Sequence, residues 1–147
     1  MRRLFPVLLL AFLTAVGCSR QPPPHVGEWD AEYFSNHKKL YRLPVPYKTS
    51  IVFYFSGKND VQYLTINHRQ GTKALWEGKY TFDYSKNPIQ LNIAWTSGSK
   101  VSHHGIIRYF GSDKKQMQYC FSLNDEPRPT NFDNTSLCYW LTKKVKE

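Results

Sequence analysis

Acidic side chains are scarce in this chain: 11 Asp and Glu stand against 20 Lys and Arg in 147 residues, and only 21% of positions carry a charge. Helical periodicity is missing as well, since no stretch repeats its apolar residues at a spacing of three and four, and no long internal repeat is present. The longest apolar run, Leu4 to Val16, has thirteen residues broken only by Pro6 and Thr14, too short to cross a bilayer as a mature helix. Cysteine is limited to three residues, with no CxxC pair and no His at ligand spacing, so a zinc centre or a catalytic thiol is not expected. No Ser/His/Asp or paired-carboxylate signature places a nucleophile within reach of a base. Catalysis is therefore not expected, and no cofactor is implied.

Aromatic residues are abundant, at 16% of the chain, and strands favour such rings. Alternation of apolar with polar residues recurs along the sequence and predicts eight strands: Val26 to Phe34, Ile51 to Phe55, Val61 to Asn67, Lys73 to Asp83, Ile89 to Trp95, Val101 to Phe110, Gln116 to Leu123 and Ser136 to Lys144. Short clusters of Gly, Asn, Asp, Ser and Pro separate most of them. Ser35 to Lys48, with Pro44 and Pro46, reads as a long loop. Gly78 within a strand reads as a bend or bulge. Eight antiparallel strands on short turns most economically close into an up-and-down barrel, because closure removes exposed edges; a sandwich is the alternative. The fold class is thus all-β.

The first residues carry an address. Met1-Arg2-Arg3 is a positive n-region, the run that follows is an h-region, and the segment closes on Ala15-Val16-Gly17-Cys18. This resembles the lipobox of bacterial lipoproteins, in which the Cys is diacylated and becomes the first residue; an ordinary secretory peptide is the alternative. Residues 1–17 are read as a signal helix, 18–25 as a linker made semi-rigid by Pro22-Pro23-Pro24, and 26–147 as the β-domain. The resemblance implies a membrane anchor at Cys18 and a place in the cell envelope. Ser19 after the Cys implies the outer membrane, facing the periplasm, if the cell has two membranes. Removing the leader with Arg2 and Arg3 leaves a side-chain charge of +7. Outside the cytoplasm that charge draws anionic lipids, wall polymers or acidic proteins, or serves solubility alone. Nucleic acid is not an expected partner, since the lysines are scattered in pairs.

Cys120 and Cys138 remain. Their midpoint, 129, is also the centre of the loop Asn124 to Asn134, so symmetric antiparallel pairing sets the two sulfurs opposite each other. In an oxidising compartment they can bond; two buried thiols are the alternative.

Gly78-x-Tyr80-Thr81-Phe82-Asp83, Lys86-Asn87-Pro88, Gly105-Ile106, Cys120-Phe121 and Arg128-Pro129-Thr130-x-Phe132 together resemble, in order and spacing, the planctomycete extracytoplasmic domain family. The resemblance spans about Gly27 to Lys144 and implies a lipocalin-like barrel without an established activity. Gly27-x-Trp29 is similar to the GxW signature of lipocalins, where an Arg near the chain end packs over the Trp. Lys144 stands near that place here, which leaves the latch in question.

The adjacent His103 and His104 must point to opposite faces of a strand and so do not suit a single metal ion. The inward faces carry the candidate ligand-binding residues Trp29, Tyr33, Trp76, Tyr80, Phe82, Leu91 and Ile93, in phase with Trp95. These rings either line a cavity for a small apolar ligand or fill a solid core. Arg128 either meets an anionic group at a barrel mouth or caps backbone carbonyls while Phe132 plugs the end. The expected activity is binding of a small apolar molecule or lipid. The alternative is an interaction module or inhibitor acting on an envelope protein: Tyr119-x-Phe121 and Ser97-Gly98-Ser99-Lys100 resemble, in a different order, elements of small lipoproteins that block lysozymes.

Overall fold

Alternating sequence becomes continuous ladder in a computed structural model that describes residues 22–36, 38–44, 48–98, 101–133 and 137–145. The expected signal helix and Cys18 lie outside these residues. The strands are β1 (Gly27–Asn36), β2 (Lys39–Arg42), β3 (Thr49–Phe55), β4 (Asp60–Asn67), β5 (Thr72–Asp83), β6 (Ile89–Trp95), β7 (Ser102–Phe110), β8 (Gln116–Leu123) and β9 (Leu137–Lys143). Every neighbouring pair is antiparallel, and β9 returns to pair with β1. Eight strands, β1 and β3 to β9, therefore form a closed up-and-down barrel whose seam lies entirely within the described residues.

β2 lies in the stretch read from sequence as a loop. It is a strand of four residues, pairing only with the far half of β1, from Tyr33↔Arg42 to Asn36↔Lys39. The near half of β1 pairs with β3, from Gly27↔Phe55 to Asp30↔Val52. One edge of β1 is thus shared between two partners, while its other edge runs along β9.

A bulge between Ala31 and Tyr33 changes which side chains of β1 face inward. Before it Trp29 and Ala31 are in the core; after it Phe34 packs inward, 4.9 Å between ring centroids from Tyr139. Tyr33 pairs with Trp140 and faces outward. The uninterrupted alternation expected for strand one is corrected accordingly. Gly78 is not a bulge: the β4–β5 and β5–β6 ladders pass through it without a shift. A Cβ there would strike the Ala94 carbonyl and crowd Trp95, so glycine serves close approach between strands. Gly105 does the same for the Tyr119 ring.

The lower interior is solid. Trp29, Phe53, Phe55, Leu91, Ile93, Met117, Tyr119 and Leu141 are all fully buried and belong to one cluster. A second, smaller cluster lies outside the barrel wall, where Ile106, Cys120 and Cys138 pack with Phe132 and Trp140. Cys120 and Cys138 are direct cross-strand partners and are disulfide-bonded, as the symmetry of the sequence around residue 129 suggests. Arg108 lies over the Phe132 ring at 4.6 Å and donates to Gln118 Oε1 at 2.8 Å. Phe132 therefore covers a wall and does not plug an end.

The disulfide closes a loop of 18 residues at a site packed by other apolar groups. Cys120→Ala with Cys138→Ala should lower unfolding free energy by about 3 kcal/mol, seen as a lower urea midpoint with the strand signature in circular dichroism retained.

Candidate functional site

The two ends of the barrel differ in what fills them. At one end the segment before β1 turns inward. His25, assigned from sequence to the linker, is buried and stacks on Phe82 with ring centroids 4.1 Å apart. Its partners fix its tautomer. The Tyr80 hydroxyl donates to the Ser56 carbonyl, so it accepts from His25 Nε2–H at 3.0 Å. Nδ1 then accepts from the Tyr84 hydroxyl at 2.6 Å, and Tyr84 in turn accepts from Tyr109 at 3.2 Å. Trp29 Nε1 donates to the His25 carbonyl at 2.8 Å.

Lys143, rather than Lys144, closes this end. It is the register partner of Trp29, lies 5.6 Å from the indole ring, and donates through Nζ to the Pro24 carbonyl at 2.9 Å. Lys144 points outward to Glu28 and Asp30. The latch questioned from sequence is thus formed one residue earlier, by an ammonium group.

At the opposite end the interior stays open. A pocket of about 220 Å³ is lined by Tyr63, Trp76, Trp95, Val101, His103, Phe121, Leu123 and Tyr139. Its walls come from β4 to β9, and Val101 comes from the β6–β7 turn. That turn leans on Trp76: a Cβ on Gly98, whose φ is +76°, would lie 2.8 Å from the indole. Backbone amides of Thr96 and Ser97 donate to the Glu77 carbonyl and hold the turn in place. The rim is therefore pinned to β5.

Few polar atoms interrupt the apolar lining. Trp95 Nε1 donates to His103 Nε2 at 3.2 Å, which leaves the proton on Nδ1 to be donated to the Tyr119 hydroxyl, also at 3.2 Å. Tyr63 and Tyr139 hydroxyls meet at 3.3 Å. Burial raises the phenol of Tyr63, and raises those of Tyr119 and Tyr139 well above the usual range, so all three are neutral hydroxyls. The cup offers ring faces, two aliphatic edges and neutral hydrogen-bonding groups.

Of the candidate ligand-binding residues, Trp76 lines this cup, together with Trp95, which is in phase with them. Trp29, Tyr80 and Phe82 belong to the closed end, and Leu91 and Ile93 are fully buried core. Tyr33 lies on the outer wall beside Trp140. Arg128 is on the outside too, donating to the Gly105 carbonyl and to Asn92 Oδ1, each at 2.6 Å. It caps a carbonyl and does not stand at the mouth. Tyr63, Val101, His103, Phe121, Leu123 and Tyr139 were not among the candidate ligand-binding residues, although the alternation of their strands already turns most of them inward. His103 and His104 do face opposite sides, and among the described residues no group of three His, Cys, Asp or Glu gathers for a metal. Comparison with family models, curated proteins and solved structures gives no match.

Burial lowers both His25 and His103 from 6.5 to about 4, with Lys143 adding to the effect at the first and His104 at the second. The unfolded chain therefore binds more protons than the folded one between those values. Stability should be level above about pH 6.5 and decline as pH falls toward about 4. His103 should contribute on the order of 2 kcal/mol, and His25, nearer solvent at the barrel's end, less. Urea titrations from pH 7.5 to 4 check this, and His103→Gln should flatten the decline.

Proposed function

We propose that this barrel is an extracytoplasmic, lipid-anchored binding protein that holds a small apolar molecule in the aromatic cup at its open end, acting by binding and not by catalysis. The observation that carries the reading is the contrast between the ends. One is sealed by the chain's own His25, whereas the other keeps a ring-lined hollow of about 220 Å³. A cavity of ~150 Å³ lined by apolar side chains accommodates benzene, so this cup suits a single substituted ring or a short acyl segment. It is smaller than the usual drug-sized site of roughly 300–1,000 Å³.

Neutral phenols and imidazole favour an uncharged group inside, with a hydroxyl or carbonyl of the ligand meeting the Tyr63–Tyr139 pair. Export is supported by the Cys120–Cys138 disulfide, a bond that persists where thiols are oxidised. The apolar leader ending at Cys18 supports the anchor, and resemblance to the planctomycete extracytoplasmic domain supports both.

Native mass spectrometry of the purified protein should retain a small apolar ligand, and added single-ring aromatics should quench emission from Trp76 and Trp95. Leu123→Trp, which fills the cup from a half-buried position at the rim, should weaken binding at least about tenfold while leaving the fold intact. Equal affinity in the parent and Leu123→Trp would refute the assignment of the cup.

A further inference from the structure

The outer walls of the barrel are treated differently. On β7 to β9, outward apolar groups are covered by the chain itself, through Phe132 and the guanidinium groups of Arg108 and Arg128. On β3 to β5, Val52, Leu64 and Leu75 stand side by side as cross-strand partners. Ile66 lies one row toward the mouth and Tyr54 one row toward the closed end. Leu75 is 51% exposed, Tyr54 44%, and Leu40 on nearby β2 53%.

Cations frame these side chains. Lys38, Lys39, Arg42, Lys48, Arg69 and Lys73 are all exposed, and among the described residues none forms an ion pair. Residues 33–52 and 61–76, which supply them, contain no Asp or Glu. Acidic groups border the wall along β1, where Asp30, the register partner of Val52, pairs with Lys144 and Glu32 accepts from Thr142, and again toward the closed end. Asp60 and Glu28 are taken up by Lys79 and Lys144, and Glu77 accepts from Gln62.

We infer that the outer face of β3 to β5, with the basic rim formed by β2 and the β4–β5 turn, is a docking surface for an anionic lipid bilayer. Exposed apolar side chains reach the acyl boundary, while long flexible cations meet headgroup phosphates without needing fixed geometry. A folded acidic partner would instead call for carboxylates matched to individual cations, and these cations sit on turns and edges with no pairing geometry. The tether agrees, on the anchor proposed above. Cys18 is four residues from Pro22, a reach of about 14 Å when extended. Since the chain enters at the closed end, an acylated Cys18 permits the barrel to rest on its side and not on its mouth.

The test uses the unlipidated chain from Ser19, because the barrel closes within residues 22–145. It is sedimented with phosphatidylcholine vesicles with and without phosphatidylglycerol. Partitioning onto the anionic vesicles, weakened by salt, is expected. Lys73→Glu and Arg69→Glu should each reduce it about fivefold or more, and Leu75→Ser comparably. Lys114→Glu with Lys115→Glu, at the β7–β8 turn of the closed end, should change it little. Equal partitioning onto both vesicles, or an equal loss from the Lys114/Lys115 pair, would overturn the inference. So would capture of an acidic protein without vesicle binding. Tryptophan quenching by single-ring aromatics is measured in the same variants and should be unchanged, so that failure of the surface is distinguished from failure of the cup.

Discussion

The barrel depends on a seam between the chain's two ends. Trp29 meets Lys143 across a sequence separation larger than any other strand pairing in the fold, and each inward-facing ring becomes interior only when that ladder closes. Closing it demands more of β1 than of any other strand. Its near half holds β3, its far half holds β2, and its opposite edge holds β9 throughout. The extra residue at Glu32 lets the strand bend enough to do this, and in the same step exchanges Tyr33 for Phe34 as the ring that enters the core.

Sealing one end uses a histidine carried in on the segment before β1, for which the open end has no counterpart among the described residues. His25 carries a backbone segment with it into the barrel, and that segment's carbonyls find Trp29 Nε1, Lys143 and the Val26 amide. The imidazole sits in a directional chain running from Tyr109 through Tyr84 and Tyr80 to Ser56. Buried polar groups are tolerated there because each has a partner. At the mouth, His103 and Tyr119 satisfy each other within the wall, and no described segment folds in over them. What remains is ring surface facing a hollow. An apolar hollow of that kind favours an apolar occupant because water inside it gains few hydrogen bonds.

The eight barrel strands, their order and most of their parity were legible in sequence, because period-two alternation reports directly on which face is buried. The Cys120–Cys138 bond was legible for a related reason, the shared centre of the pair and its loop. Depth along the barrel was not legible. Parity states that Trp29, Tyr80, Leu91 and Trp76 all point inward, but only the position of His25 decides which of them remain accessible, and His25 lies in a proline-rich segment with no periodicity. β2 was hidden for want of length, since four residues between turn and prolines show too little alternation to register. Tyr33 was misplaced because one inserted residue reverses parity, and nothing in the composition of β1 announces the insertion.

Parity leaves a further question about side chains that point outward. Ile106 and Cys120 share that orientation with Val52 and Leu64, yet the first two are fully buried and the others are not. The difference is the length of the connection between β8 and β9. It is long enough to fold back along the wall, and Arg128 secures it by placing two N–H groups on Gly105 and Asn92. Short turns at β3–β4 and β4–β5 have no spare chain for such a cover. An apolar outer row can persist in water on that wall only at the cost of exposed surface, unless something else lies against it. The basic residues gathered at its border give that covering surface a sign.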